Sequence, residues 1–482
     1  MLTLTDFYCG AGGSTQGAER VPGVKVVIAA NHWDLAIATH AENFPDCQHD
    51  CADISQIDFR RYPRTDLHWG SPECTNHTIA RGVRTDLDRQ PDLFGEVLPD
   101  QAAVRSRATM WDIPRYLEAM WLRGKAVLGG VVENVVDVRN WILFDAWIKA
   151  IKAMRYKVRV VYLNSMHATP RFGTPRAPQS RDRAYVVYWL ESIGRDPLWE
   201  KWLSPKAHCD RHGWVKARQA FKNGVEWGRY RAQYNYVCPT SGCGEVVEPP
   251  VLPAASAIDF NDLGTRIGSR KRPLADKTID RVVAGLTRYA GRPIAVPMEG
   301  RDGKRPWALD DSPLRTQTTR ADLAIAYAPG QFQWLPFIAE MRGGGSQKKA
   351  RGVDEPMSTV TASGNHHALV TPPPLLVPYY GTGQAKPTNH PMGTLTTRDR
   401  HALVMAQAGQ PAEPIAVDDC LLRMLNPSEI ARGMAFRYGY VLLGTRREQV
   451  RQLGNAVTPP AAEVLIALLT ECITGEEFTL AA

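Results

Sequence analysis

The chain has 482 residues, and its hydrophobic content of 44% is typical of a globular protein with two or three domains. No apolar run approaches the roughly 18 residues of a membrane span, and the N-terminus lacks the basic and apolar regions of a secretion signal. Nine cysteines in such a chain indicate a reducing, cytoplasmic compartment. The formal net charge is +8, and residues 201–320 hold 21 Lys or Arg against 12 Asp or Glu, which favours a polyanionic partner.

Residues 1–190 alternate short apolar runs with helical patterns, which predicts an α/β domain with a doubly wound, mostly parallel sheet. Strands are predicted over residues 2–4, 24–29, 66–69, 126–132 and 184–189. A helix is predicted over residues 140–154, and residues 75–114 form a long polar stretch that predicts a loop.

From about residue 191 the helical periodicity fades and a repeat becomes visible. Residues 313–320, 356–363 and 391–398 resemble one another, and His-Ala-Leu-Val follows the last two copies. Threonines that alternate with apolar residues predict short strands, so residues 191–415 are predicted to be a smaller β-rich insert. Helical patterning returns over residues 418–436, 446–453 and 459–472, and residues 416–482 are predicted to complete the first domain.

Five short motifs occur in one order along the chain. They are DFYCGAGG at residues 6–13, GSPEC at 70–74, ENV at 133–135, QSRDR at 179–183 and GNAVTPP at 454–460. Together they offer a glycine turn, a thiol, a carboxylic acid, two guanidinium groups and a helix start. This set resembles the DNA cytosine-5 methyltransferase family of bacteria and phages. The resemblance implies a Rossmann-like S-adenosylmethionine methyltransferase sheet with an inserted, smaller β-rich target-recognition domain.

The resemblance also implies S-adenosylmethionine as the cofactor. The residues it assigns to cofactor binding are Asp6, Tyr8, Gly10, Ala11, Gly12, Gly13, His32, Trp33, Asp53, Ile54, Asn455 and Val457. His32 stands where the family has an acidic residue for the ribose hydroxyls, so that contact falls either to His32 itself or to Asp34. Trp33 either stacks on the adenine or packs in the core.

Carbon C5 of cytosine is a poor nucleophile, and adding a thiolate to C6 makes it reactive. The resemblance implies that Cys74 is this nucleophile and that Glu133 is the acid at N3. It assigns Arg181 to the cytosine O2 and to holding Glu133, and it leaves Arg183 a structural role. Glu73 differs from the proline that the family usually has before the cysteine.

The implied substrate is duplex DNA with the target cytosine flipped out of the helix. Arg81 and Arg84 in the polar loop would contact phosphates, and Thr394 and Leu395 resemble the family's Thr-Leu target-recognition element. Two alternatives stay open, an RNA cytosine-5 methyltransferase and a catalytically inactive sequence-specific DNA-binding homologue. We expect a monomer without membrane attachment, in the cytoplasm of a prokaryotic or phage-infected cell, with a cognate restriction enzyme as a further partner.

A second group of residues has the spacing of a metal site. Cys209 and His212 form one ligand pair, and Cys238 and Cys243 form another about 25 residues later. Four such ligands fit a structural zinc site, and the alternative is a set of unrelated free thiols.

Overall fold

A computed structural model describes residues 1–73, 101–252 and 426–479 continuously, and short separate segments between them. The chain divides into two compact units. Unit 1 comprises Met1–Ala257, Pro356–Asn365 and Asn426–Ala482, and unit 2 comprises Ile258–Glu355 and His366–Leu425.

The centre of unit 1 is a seven-stranded, mostly parallel sheet. The strands of the unit are β1 (Leu2–Phe7), β2 (Val24–Asn31), β3 (Gln48–Cys51), β4 (Leu67–Gly70), β5 (Gln90–Pro91), β6 (Val97–Leu98), β7 (Gly129–Asn134), β8 (Tyr156–Asn164), β9 (Asp182–Leu190), β10 (Lys206–Cys209), β11 (Gly213–Lys216), β12 (Arg218–Phe221) and β13 (Tyr234–Val237). The order in the sheet is β3-β2-β1-β4-β7-β9-β8, and β9 alone runs antiparallel to its neighbours. The predicted Rossmann-like α/β class is confirmed.

Helices cover both faces of this sheet. They are α1 (Gly13–Ala18), α2 (Asp34–Asn43), α3 (Gln101–Leu122), α4 (Phe144–Ala153), α5 (Trp199–Leu203), and the C-terminal helices Pro427–Gly433, Arg446–Asn455 and Pro459–Thr474. Alternation along the strands sends neighbouring residues to opposite faces, so that Val131 and Val132 belong to different core clusters. Residues Leu465 and Leu468 of the last helix are fully buried in the same cluster as Val131. The last helix therefore packs in the core of the central sheet.

That buried position also accounts for the apolar C-terminal sequence. By length and hydropathy the stretch Arg446–Thr474 could cross a membrane, but 94% of its most apolar window is buried inside the protein. This is the pattern of core helices, which bury apolar side chains on all sides.

Three elements of the structure differ from the sequence prediction. Helix α3 begins inside the region predicted as a loop, since Met110, Ile113 and Leu117 recur at helical spacing and are buried. Strand β8 was not predicted, because Lys157 and Arg159 break its apolar run at the edge of the sheet. A strand, Leu421–Met424, stands where a helix was predicted from residue 418.

The segment 191–257, which was predicted to belong to the insert, lies in unit 1. Its hairpins β10–β11 and β12–β13 bury Ala207, Tyr234 and Tyr236 in the same core cluster as Phe7 of β1. The amino-acid composition changes at residue 191, which suggested a domain boundary there. The aromatic side chains of the hairpins are nevertheless shielded from water by packing in the core of unit 1.

The described strands of unit 2 pair antiparallel. They are β14 (Thr265–Arg266), β15 (Ile294–Pro297), β16 (Trp307–Ala308), β17 (Leu323–Ala326), β18 (Phe337–Glu340), β19 (Ala350–Gly352), β20 (His367–Thr371), β21 (Leu375–Pro378), β22 (Lys386–Pro387), β23 (His401–Val404) and β24 (Leu421–Met424). The pairs β15–β17, β18–β20 and β21–β23 share one register, and both His-Ala-Leu-Val segments are strands. The repeat copies 313–320 and 391–398 themselves lie outside the described residues.

Candidate active site

The described residues predicted for cofactor binding and catalysis gather at one edge of the central sheet. The parallel strands β1, β2, β4 and β7 end there, and β9 begins there because it runs the other way. Ligands of open α/β sheets bind at this edge, where the strand order reverses. Cys74, Arg81, Arg84, Thr394 and Leu395 lie outside the described residues.

The loop after β1 has the backbone that the glycine motif predicts. Tyr8, Gly10 and Gly12 have φ values of 58°, 53° and 84°, in the left-handed region that favours glycine. Tyr8 is the exception in this series, and a left-handed aromatic residue in such a loop indicates a position fixed by its surroundings.

The first turn of α1 packs directly against the last sequence motif. A Cβ added to Gly13 would lie 2.0 Å from the Val457 carbonyl oxygen, so only glycine fits this contact. Val457 is buried and Asn455 is exposed at the end of the preceding helix. The last motif thus lies beside the first, as the resemblance implied.

Asp6 holds this loop through hydrogen bonds to the start of α1. The carboxylate is fully buried, and its Oδ2 accepts hydrogen bonds from Ser14 Oγ at 2.6 Å and Thr15 Oγ1 at 2.8 Å. Burial raises the pKa of Asp6 to about 7, although both hydroxyls favour the ionised form. Asp6 Oδ1 has no hydrogen-bond partner among the described residues, so a buried acceptor is available at the loop.

A polar chain continues from Asp6 towards the surface. Thr15 Oγ1 lies 2.9 Å from His40 Nε2, and His40 Nδ1 lies 2.8 Å from His49 Nε2. Burial lowers the pKa of His40 to about 3, so its imidazole stays neutral and supports the loop through hydrogen bonds. His40, Cys47 and His49 also cluster closely enough to suggest metal ligands, but both ring nitrogens of His40 are already engaged.

Sequence reasoning missed Asp112, which ties the loop to the end of β3. Asp112 Oδ2 accepts hydrogen bonds from Tyr8 Oη and from Ser55 Oγ, both at 2.6 Å, and its Oδ1 pairs with Arg115. Burial and the neighbouring carboxylate raise the pKa of Tyr8, so the phenol remains a donor. The available signal was the helical spacing of apolar residues around Asp112, in the stretch predicted as a loop.

The residues predicted for the adenosine moiety follow β2 and β3. Trp33 is half-buried, and the Arg451 guanidinium lies 4.5 Å from its ring centroid. Asp53 caps the short 3-10 turn Ile54–Gln56 by accepting from Ser55 N at 3.2 Å, and Ile54 is buried. The Asp53 carboxylate is therefore held by the backbone at the edge of the sheet. His32 Nε2 lies 4.0 Å from Glu73 Oε1.

Glu133 stands at the end of β7 and forms a nearly buried ion pair. Its Oε1 lies 2.8 Å from Arg183 Nε, and the two side chains are 9% and 11% exposed. The prediction that Arg181 holds Glu133 is therefore corrected, since Arg183 makes this contact. Arg181 instead donates from Nη2 to the carbonyl oxygens of Gly454 and Ala456, at 3.2 and 3.0 Å.

Strand register explains this exchange of roles. Alternation places Arg181 and Arg183 on one side of the chain, so the sequence alone does not show which one reaches Glu133. In the structure Ala184 pairs with Asn134, which brings Arg183 beside the end of β7. Arg181 precedes the strand and fixes the last motif instead.

The segment that leads to Cys74 is bonded to the end of β7. Asn134 Nδ2 donates to Pro72 O at 3.4 Å, and Ser71 N donates to Phe7 O at 3.0 Å. Pro72 stands two residues before Cys74, and Asn134 directly follows Glu133. The approach to the predicted nucleophile and the predicted acid are therefore adjacent.

The predicted zinc ligands converge. The donor atoms of Cys209, His212, Cys238 and Cys243 all lie within 4.8 Å of one another. Cys209 Sγ lies 3.9 Å from Cys243 Sγ, and His212 Nδ1 lies 3.5 Å from both Cys209 Sγ and Cys238 Sγ. Two hairpins that are separate in sequence thus bring four soft or borderline ligands to one point.

Comparison with known proteins agrees with the motifs. The sequence model of the C-5 cytosine-specific DNA methylase family matches residues 2–196, a segment that contains all seven strands of the central sheet. No curated protein matches the chain.

Several solved structures are similar over almost the full length. A DNA modification methyltransferase encoded within a prophage of E. coli has 15% identity and a TM-score of 0.47, over 99% of this chain and 100% of that one. A mutant of Spodoptera frugiperda DNMT2 has 14% identity and a TM-score of 0.47, over 98% and 100%. The S. pombe Dnmt2 methyltransferase has 12% identity and a TM-score of 0.46, over 98% of each chain. All these TM-scores are below 0.5, so the likenesses carry no statement about substrate. By its sequence motifs and by the match over residues 2–196, the chain is similar to the C-5 cytosine-specific DNA methylase family in the segment that holds the central sheet.

Proposed function

We propose that this protein transfers a methyl group from S-adenosylmethionine to C5 of a flipped-out cytosine in specific sites of duplex DNA. The observation that carries the proposal is the hydrogen bond from Asn134 to Pro72, which joins the chain before Cys74 to the end of β7, beside Glu133. The net charge of +8 supports a polyanionic substrate.

The crevice after β1 fits a nucleoside cofactor that lacks phosphate. The glycine loop permits close backbone approach, and the orphan acceptor on Asp6 can take a hydrogen bond from the cofactor ammonium group. Asp53 and Trp33 follow the neighbouring strands, where the adenosine moiety would bind. S-adenosylmethionine supplies there a methyl group bonded to positively charged sulfur, which a carbon nucleophile can accept.

The residues of the chain make cytosine C5 such a nucleophile. The Cys74 thiolate bonds to C6 while the Glu133 carboxylic acid donates its proton to N3, and electron density moves to C5. N3 returns this proton to Glu133 when the thiolate leaves. Arg183 fixes the Glu133 carboxyl group through the 2.8 Å ion pair. After C5 is methylated, it loses its proton to water and the bond between sulfur and C6 breaks, which regenerates the thiolate.

Substrate class is tested by offering purified protein and radiolabelled S-adenosylmethionine to duplex DNA and to structured RNA, with bisulfite sequencing of the product. We expect labelled 5-methylcytosine in duplex DNA at one sequence context. Labelling confined to RNA would support the RNA methyltransferase, and binding of DNA without labelling would support the inactive homologue.

We also propose that Cys209, His212, Cys238 and Cys243 bind a structural zinc ion. Zinc bond lengths give a tetrahedron with sulfur–sulfur edges of about 3.8 Å and sulfur–nitrogen edges of about 3.6 Å. The observed separations of 3.9 and 3.5 Å match these edges. We expect one zinc per chain by elemental analysis of protein purified without chelator, and a metal-free, fully folded protein would contradict the assignment.

A further inference from the structure

Two of the positions at which this chain departs from the usual family motifs meet in space. His32 follows β2 and Glu73 follows β4, and these strands flank β1 on either side. His32 Nε2 lies 4.0 Å from Glu73 Oε1, and the two side chains are 46% and 34% exposed. The pair is therefore accessible beside the loop that follows β1.

A nucleoside cofactor needs acceptors for its two ribose hydroxyls. In related α/β folds an acidic residue at the end of the second strand accepts these hydrogen bonds. A carboxylate has two oxygens and can accept from both hydroxyls, whereas a neutral imidazole has one acceptor nitrogen. His32 at the end of β2 therefore leaves the site without its usual group.

Asp34 does not replace that group well. It is exposed, it begins α2, and its Oδ1 accepts from Leu35 N at 2.7 Å within the first helical turn. Among the described carboxylates, only that of Glu73 lies within 4.0 Å of a ring nitrogen of His32.

We propose that Glu73 supplies the carboxylate that accepts from the ribose hydroxyls, with His32 positioning one of its oxygens. The proposal rests on the proposed function for the identity of the cofactor. Glu73 directly precedes Cys74, so cofactor binding would also fix the chain at the nucleophile. Glu73, in the segment after β4, thus supplies the carboxylate that is absent from the end of β2, on the other side of β1.

The test compares the binding of S-adenosylhomocysteine with that of an analogue lacking both ribose hydroxyls, by isothermal titration calorimetry. Hydrogen bonds to a charged group contribute about 1.5–3 kcal/mol, so wild-type protein should lose roughly 10- to 150-fold in affinity when the hydroxyls are removed. Glu73→Gln should bind S-adenosylhomocysteine more weakly and distinguish the two ligands much less. Asp34→Asn is the matched control and should distinguish them as wild type does.

A second variant tests whether the loss in Glu73→Gln comes from the missing carboxylate or from a disturbed fold. His32→Glu combined with Glu73→Gln moves the carboxylate to the end of β2 and should restore discrimination between the ligands. Unchanged discrimination in Glu73→Gln, with its loss in Asp34→Asn, would overturn the inference and leave the proposed function intact. Absence of any S-adenosylhomocysteine binding by folded wild-type protein would overturn both.

Discussion

The ion pair between Glu133 and Arg183 gives a quantitative prediction. The charged atoms lie 2.8 Å apart and the side chains are 9% and 11% exposed, so little water screens them. Removing one partner leaves a charge buried without its counterion, which typically costs 3–5 kcal/mol. We therefore expect Arg183→Gln to lower the free energy of unfolding by about 3–5 kcal/mol. The same substitution should reduce the methylation rate, because Glu133 loses the group that orients it.

A double-mutant cycle isolates the pair. Glu133→Gln alone leaves the Arg183 guanidinium unpaired, whereas the double variant leaves neither charge. The double variant should therefore be less destabilised than the sum of the single variants, by up to about 3 kcal/mol. Urea unfolding followed by tryptophan fluorescence measures each free energy.

Arg181→Gln provides the control for this cycle. Arg181 is also buried, but its described side-chain hydrogen bonds go to the backbone carbonyls of Gly454 and Ala456. Its cycle with Glu133→Gln should show a smaller coupling energy. Additive costs for Arg183→Gln and Glu133→Gln, or a larger coupling for Arg181, would refute the assignment of Arg183.

Three further predictions concern the loop, the helix contact and the metal. The pKa of Asp6 is about 7 in the fold and 3.8 in the unfolded chain, so the folded state retains the proton longer and wild-type stability should fall between pH 4 and 7. At about 1.4 kcal/mol per pKa unit the loss approaches roughly 4 kcal/mol, and a stability difference between Asp6→Asn and wild type that stays constant over this range would contradict it. Gly13→Ala places a Cβ 2.0 Å from a carbonyl oxygen and should weaken cofactor binding, measured by calorimetry, whereas Gly124→Ala, in open space, should not. Cys238→Ser should release zinc and lower the melting temperature, and the exposed Cys51→Ser should do neither.

The sequence predicted those features of the fold that depend on short-range periodicity. Strands β1, β2, β4 and β7 follow from apolar runs, and glycine turns or polar residues mark their ends. Strand β8 was missed, since alternating charges at the sheet edge weaken the apolar signal. The start of helix α3 was missed because Arg105, Ser106 and Arg107 continue the polar stretch of sequence that begins at residue 75.

Contacts between distant residues were less predictable. The motifs indicated that Glu133 and two arginines share the site, but the pairing of Ala184 with Asn134 decides that Arg183 reaches Glu133. Asp112 joins Tyr8 to Ser55 through tertiary packing that leaves no local pattern. The proposed zinc ligands, in contrast, were chosen from spacing alone, because the two members of each pair lie only three or five residues apart.

The most direct test of the account is covalent capture of Cys74. Cytosine with fluorine at C5 cannot lose a proton there after methylation, so the bond between sulfur and C6 should persist. Incubation of the protein with S-adenosylmethionine and 5-fluorocytosine duplex DNA, followed by mass spectrometry of tryptic peptides, should show the nucleotide attached to Cys74. Cys74→Ser should bind the same DNA and form no adduct. Folded wild-type protein that binds this DNA and cofactor but gives no adduct, or an adduct at another residue, would contradict the proposed mechanism.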